Sequence, residues 1–318
     1  MKRLVMLTMI MFLIPMLVCC KGRAGEAPGD KGGFRVLTTV LPIYVFTMNV
    51  AKGVPGVTVD VLIPPEQSGP HGYEPTPSDM KKVEDADLLI ANGLGLEPFL
   101  DRIKSVKPGL KVVFASDRIQ PMPDVPEERS WEAGQSGEEG DAHGPYNPHV
   151  WGSPYLAAME VARISFALST SDPNNAGLYR TNAAAYNAML GSLAKDIKQS
   201  LTGIRNNRIV TVHNAFDYFA RDFGLDVVAV LRVDPESEPR PAELARISDR
   251  IKSAMVAAIF TEPQFSTKIA DMLAKETGVP VYELDPGDMG KPSLDFYQRI
   301  MRKNLEILKI ALGIGVSK

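Results

Sequence analysis

The stretch FRVLTTVLPIYVFTMNVAKGVPGVTVDVLIPP, residues 34 to 65, reads as strand, helix and strand. FRVLTTVLP is a short apolar run, IYVFTMNVAKG carries helical text up to a glycine, and VTVDVLIPP is a second strand closed by two prolines. Working outward, TPSDMKKVEDA follows as a capped helix, DLLIANG as a strand, LEPFLDRIKSV as a helix and KVVFAS as a strand. Strands separated by helices of this length predict a parallel α/β sheet, with ligands bound beyond the carboxyl ends of its strands.

The alternation breaks at residues 121–144, which are acidic, Gly-rich and aperiodic and read as a solvated loop. NPHVWGSP then leads into YLAAMEVARISFALS, and LYRTNAAAYNAMLGSLAKDIKQSLTGI continues with apolar residues at three and four spacing. A helix of about 27 residues would run roughly 40 Å, enough to span two lobes. Strands and helices alternate again from RIVTVH to the closing amphipathic helix LDFYQRIMRKNLEILKIAL. The expected architecture is two similar parallel-sheet α/β lobes bridged by one long helix. The N-terminal lobe is 34–154, the linking helices 155–205 and the C-terminal lobe 206–318, each lobe with its own core.

The first twenty residues are a secretory leader. Lys2 and Arg3 precede LVMLTMIMFLIPMLV, an apolar run shorter than the roughly 20 residues of a membrane span. LVCC resembles a bacterial lipobox, with Leu17 three positions before Cys20, so a lipid on Cys20 is expected to anchor the chain to a membrane. KGRAGEAPGDKGG, within 21–33, is a polar tether. Both cysteines sit in the leader, which excludes a disulfide or a thiolate metal ligand in the mature fold. The net charge of −3 becomes about −5 once Lys2 and Arg3 leave with the leader. An acidic body without basic clusters argues against nucleic acid and favours collecting cations.

The four histidines locate the chemistry. His71 follows the second strand, His149 stands in YNPHVW where the first lobe meets the next helix, and His213 ends RIVTVH. Asp285, in YELDPG, ends the last strand of the second lobe. Each alone has a plainer reading: a loop histidine, a polar residue at a helix start capped by Asn147, a core histidine, and a turn initiator before Pro286. Two facing sheets would bring all four into one interlobe cleft. Three imidazoles and a carboxylate suit a divalent transition metal, zinc above all.

PHGYEPTPSD, NPHVW, VTVHNAFDYFARDFG and ELDPG, with RPAEL and IFTEPQFS, resemble in order and spacing the motifs of zinc- and manganese-binding lipoproteins of bacterial ABC importers, the ZnuA-like or TroA-like receptors. The resemblance runs from Phe34 to about Leu312. It implies two α/β domains bridged by a rigid helix, one metal ion between them, and His71, His149, His213 and Asp285 as its ligands. In that family a histidine at the third position leans to zinc and a glutamate to manganese, so His213 implies Zn(II), with Mn(II) as the alternative ion. Many zinc receptors of the family carry a histidine-rich loop. Here that loop holds Glu127, Glu128, Glu132, Glu138, Glu139 and Asp141 with only His143. Glu262, at another strand exit, is a candidate supporting or substitute ligand.

The resemblance thus implies a monomeric extracytoplasmic receptor, in the periplasm or at the cell surface, that delivers Zn(II) to an ABC permease. It assigns no catalytic residue. The alternative is a secreted zinc hydrolase with three histidines and a metal-bound water; no HExxH, GxSxG or GxxxxGK[ST] pattern accompanies it.

Overall fold

In this computed structural model the described residues are 33–66, 69–70, 72–124, 144–231 and 241–314, the side chain of Glu243 excepted. The leader with Cys20, the tether up to residue 32, His71 and most of the acidic loop, including His143, lie outside them.

The first sheet contains β1 (Phe34–Thr38), β2 (Val57–Val61), β3 (Leu88–Ala91) and β4 (Lys111–Phe114), all parallel, in the order β2-β1-β3-β4. Helices α1 (Leu41–Val50), α2 (Pro77–Asp85) and α3 (Leu100–Val106) make the crossovers. The second sheet holds β5 (Arg208–Thr211), β6 (Asp226–Val230), β7 (Ala258–Thr261) and β8 (Val281–Glu283) in the matching order β6-β5-β7-β8. Helices α6 (Asp217–Phe223), α7 (Pro241–Ser253) and α8 (Lys268–Thr277) lie between its strands, and α9 (Phe296–Ala311) closes the chain. In each sheet the strand order reverses beside the first strand, at β1/β3 and at β5/β7. That is where a parallel sheet opens a crevice beyond its strand ends.

Between the sheets run α4 (Pro154–Ser171) and α5 (Ala176–Ser200), packed against each other along their length. Pro154 at the start of α4 costs no hydrogen bond, because a first-turn N–H has no helical acceptor. The long bridging helix has 25 residues. It buries Tyr179, Leu190, Leu193 and Ile197 against the α4 side, each such side chain contributing about 1.5–3 kcal/mol.

Two elements differ from their sequence reading. The helix expected from Leu96 begins only at Leu100, because residues 96–99 turn so that the Glu97 carboxylate receives the Asn92 and Gly93 N–H groups (2.7 and 3.0 Å). The lobes also do not have separate cores. One apolar cluster runs from Val36 and Leu89 through Val161 and Leu193 to Phe219, Phe260 and Leu305. A second cluster, with Val210, Leu231 and Ile259, covers the other face of the β5–β8 sheet. The seam between the lobes is therefore packed like an interior, which fixes how the strand exits face each other.

Candidate metal centre

The β5/β7 crevice supplies the first pair of groups. β5 is paired in parallel with β7, so the residues leaving them emerge side by side. His213 lies two residues beyond β5, just before the 3₁₀ turn Asn214–Phe216, and Glu262 directly follows β7. Both are buried, and His213 Nδ1 is 3.4 Å from Glu262 Oε1, an ion-pair distance longer than a well-formed hydrogen bond. Gln264 Nε2 donates to the other oxygen of Glu262 at 2.8 Å and holds the carboxylate in place. Burial works against a charged His213. The Glu262 carboxylate, with Asp288 and Asp124 further off, outweighs it and raises the imidazole above its ordinary pKa.

His149 arrives from the other side of the seam. It precedes the 3₁₀ turn Val150–Gly152 that leads into α4, and its ring meets that of His213 edge-on, with centroids 4.6 Å apart at 88°. The turn is held to the second lobe at several points. Trp151 Nε1 donates to the Pro286 carbonyl (3.0 Å), Tyr297 Oη donates to the Trp151 carbonyl (2.7 Å), and Ser153 donates to Asp222. A Cβ added to Gly152 would stand 2.9 Å from the Ala215 carbonyl oxygen, so only glycine permits this approach of the two histidine-bearing turns. Asn147, read from sequence as a helix cap, instead accepts from His149 through its side-chain oxygen.

The β8 exit brings two carboxylates. Asp285 is half-buried; its Oδ1 accepts the Gly287 N–H (2.8 Å), and its backbone is clasped by Asn304 at 3.0 and 2.7 Å. Asp288, three residues on, is buried beside His213 and Glu262. Burial, then repulsion from Glu262, pushes the Asp288 carboxyl up to about 7, with His213 pulling in the opposite direction. Asp285 is also raised, mainly by burial. Sequence reading singled out Asp285 and passed over Asp288. The run DPGD offers two acids, one on each side of Gly287 at φ +74.

Among the described residues no three His, Cys, Asp or Glu side chains form a ready metal-binding group. His149, His213, Glu262 and Asp288 gather at the seam, and His71 is outside the description. The residues flanking His71 reach the same place: the Gly290 N–H donates to the Pro65 carbonyl at 2.7 Å, and a Cβ on Gly69 would lie 3.7 Å from Met289 Sδ. Pro65 and Gly69, which precede His71 in the chain, therefore border the turn that carries Asp288.

Two parallel α/β lobes, a bridging helix, and imidazoles and carboxylates buried where strand exits oppose one another define a two-lobed binding protein with its site at the seam. The particular family follows from comparison. Residues 36–311 match the zinc-uptake complex component A, periplasmic family (ZnuA), and this chain belongs to it. It is 36% identical over 298 residues to the high-affinity zinc uptake system protein ZnuA of Bacillus subtilis (strain 168), covering 92% of this chain and 91% of that protein. It is 31% identical over 300 residues to the zinc-binding protein AdcA of Streptococcus pyogenes serotype M6, covering 90% of this chain but 57% of that longer protein. Among solved structures, the SBP FpvC of P. aeruginosa in complex with Ni2+ superposes with a TM-score of 0.77 at 29% identity, covering 90% of this chain and 99% of that one.

Proposed function

We propose that this chain is an extracytoplasmic receptor that captures a divalent transition-metal ion, Zn(II) first and Mn(II) second, and delivers it to an ABC permease. The observation that carries this reading is the meeting of His149 and His213 across the lobe seam, with Glu262 and Asp288 buried around them. Imidazole nitrogens suit zinc, and a carboxylate offsets part of the charge of the ion. His71, His149 and His213 supply nitrogen. The oxygen comes from the β8 exit, expected from sequence at Asp285. The surroundings favour Asp288, because Asp285 Oδ1 already accepts from Gly287 and Asp288 is buried close to His213. The membership of the chain in a zinc-uptake family gives the secreted-hydrolase alternative no support.

Titration calorimetry with zinc on the wild type and on His71→Ala, His213→Ala, Asp285→Ala and Asp288→Ala, with folding checked by circular dichroism, tests the site. Each true ligand should cost orders of magnitude in affinity. A folded His71→Ala or His213→Ala protein that binds one zinc as tightly as wild type would sink the shared interlobe site. Comparing the two aspartate variants assigns the oxygen donor. A lipid on Cys20 keeps the receptor at the membrane, so Cys20→Ser should move the protein from the detergent phase to the aqueous phase. Wild-type protein found wholly in the aqueous phase would remove the anchor and leave a soluble receptor.

A further inference from the structure

We infer that Asn147 is the positioning residue of the metal centre: one buried amide fixes the tautomer of His149 and sets its spacing from His213. This rests on the metal-receptor reading above and adds a residue that does not itself touch the ion. Asn147 is fully buried, and each of its polar groups is engaged. Its backbone N–H donates to the Met122 carbonyl (3.0 Å) and its carbonyl accepts from Tyr218 Oη (2.8 Å). Its Nδ2 donates to the Asn214 carbonyl at 2.8 Å, while its Oδ1 lies 2.9 Å from both the backbone nitrogen and the ring Nδ1 of His149.

The orientation of the amide is determined from both ends. A backbone carbonyl only accepts, so the NH2 group must face Asn214; a backbone N–H only donates, so the oxygen must face His149. A ring nitrogen directed at that oxygen must then carry the proton. Nδ1–H is the result, which puts the lone pair on Nε2 as the metal donor. A histidine without such an acceptor distributes its proton over both nitrogens, and part of the population must rearrange before it can bind.

The other half of the amide acts on His213. Asn214 is its direct neighbour, so the path His149–Asn147–Asn214–His213 runs through one rigid side chain. It spans the seam and supports the edge-on ring arrangement. Asn147 thereby prepares the two imidazoles together, while Glu262 stands beside His213.

The test uses the full metal-free chain, with long-range proton–nitrogen NMR on its four histidines and His149→Gln to assign the signal. Wild type should show His149 in the Nδ1–H form. Asn147→Ala should show a mixed tautomer, and a competition titration with a zinc chelator should give 10- to 100-fold weaker binding. Asn147→Asp, which keeps an acceptor against the ring, should retain a protonated Nδ1 and guards against an alanine variant that fails to fold. A folded Asn147→Ala protein with the wild-type tautomer or wild-type zinc affinity would overturn the inference, as would an aspartate variant that loses the Nδ1 proton. A wild-type chain that binds no zinc would instead refute the receptor reading, and the tautomer signal in the metal-free protein separates the two failures.

Discussion

Glu160→Gln should make the metal-free protein markedly more stable at neutral pH while changing little in mild acid. Glu160 lies on α4, fully buried, and neither carboxylate oxygen has a hydrogen-bond partner among the described residues. Burial, reinforced by the charge of Glu97, holds its carboxyl well above the ordinary value of 4.5. The folded chain therefore keeps a proton that the unfolded chain releases above about pH 4.5. The favourable contribution of this group is fully present below that pH and is lost as pH rises toward the folded value, at about 1.4 kcal/mol per pH unit. The loss accumulates at that slope for as long as the folded group keeps its proton. Glutamine has the same shape as the protonated acid and does not titrate, so it removes this slope. Urea unfolding at pH 5, 6 and 7.5 with a chelator present should show the variant within about 1 kcal/mol of wild type at pH 5. The gap should then widen in its favour. A difference that stays flat with pH would refute the reasoning, because it would mean that Glu160 is ionised in the fold and satisfied there.

Three further outcomes are expected. Gly152→Ala places a Cβ 2.9 Å from the Ala215 carbonyl, which should cost about 1–3 kcal/mol in a thermal or urea melt. It should also weaken zinc binding, since both histidine-bearing turns must part; an unchanged melt would show that the seam gives way easily. His213→Glu replaces a nitrogen donor with a hard oxygen, so competition between the two ions should move the preference toward Mn(II), and an unaltered ratio would contradict it. Apparent zinc affinity should fall from pH 8 to pH 6, because the ion must displace protons from imidazoles and from the Asp288 carboxyl, which lies at about 7. Calorimetry in buffers of different ionisation enthalpy should register proton release on binding, and its absence across that range would count against these ligands.

The amino-acid sequence by itself determined the α/β class, the two parallel sheets and the bridging helix, because these follow from local patterns. Apolar runs such as LLIA and AIFT, broken by capped helices, can bury themselves only in such sheets. The same order of elements pointed to the strand exits as the place for chemistry, and it singled out His149 and His213, which the fold brings ring to ring. What only the tertiary structure decided lies in turns and across the seam. Helix α3 starts late because Glu97 is drawn into the turn before it, and the lobes share one core because α4 and α5 present apolar faces to both. Asp288 joins the buried group beside His213 and Glu262, which the run DPGD, with its two acids, does not reveal. Asn147 reads locally as a cap and serves instead as the brace between two histidines 64 residues apart (149 and 213). Periodicity records which face of an element is buried. It carries no information about which polar group meets which across a packed seam, since that depends on side-chain directions set by residues distant in the chain.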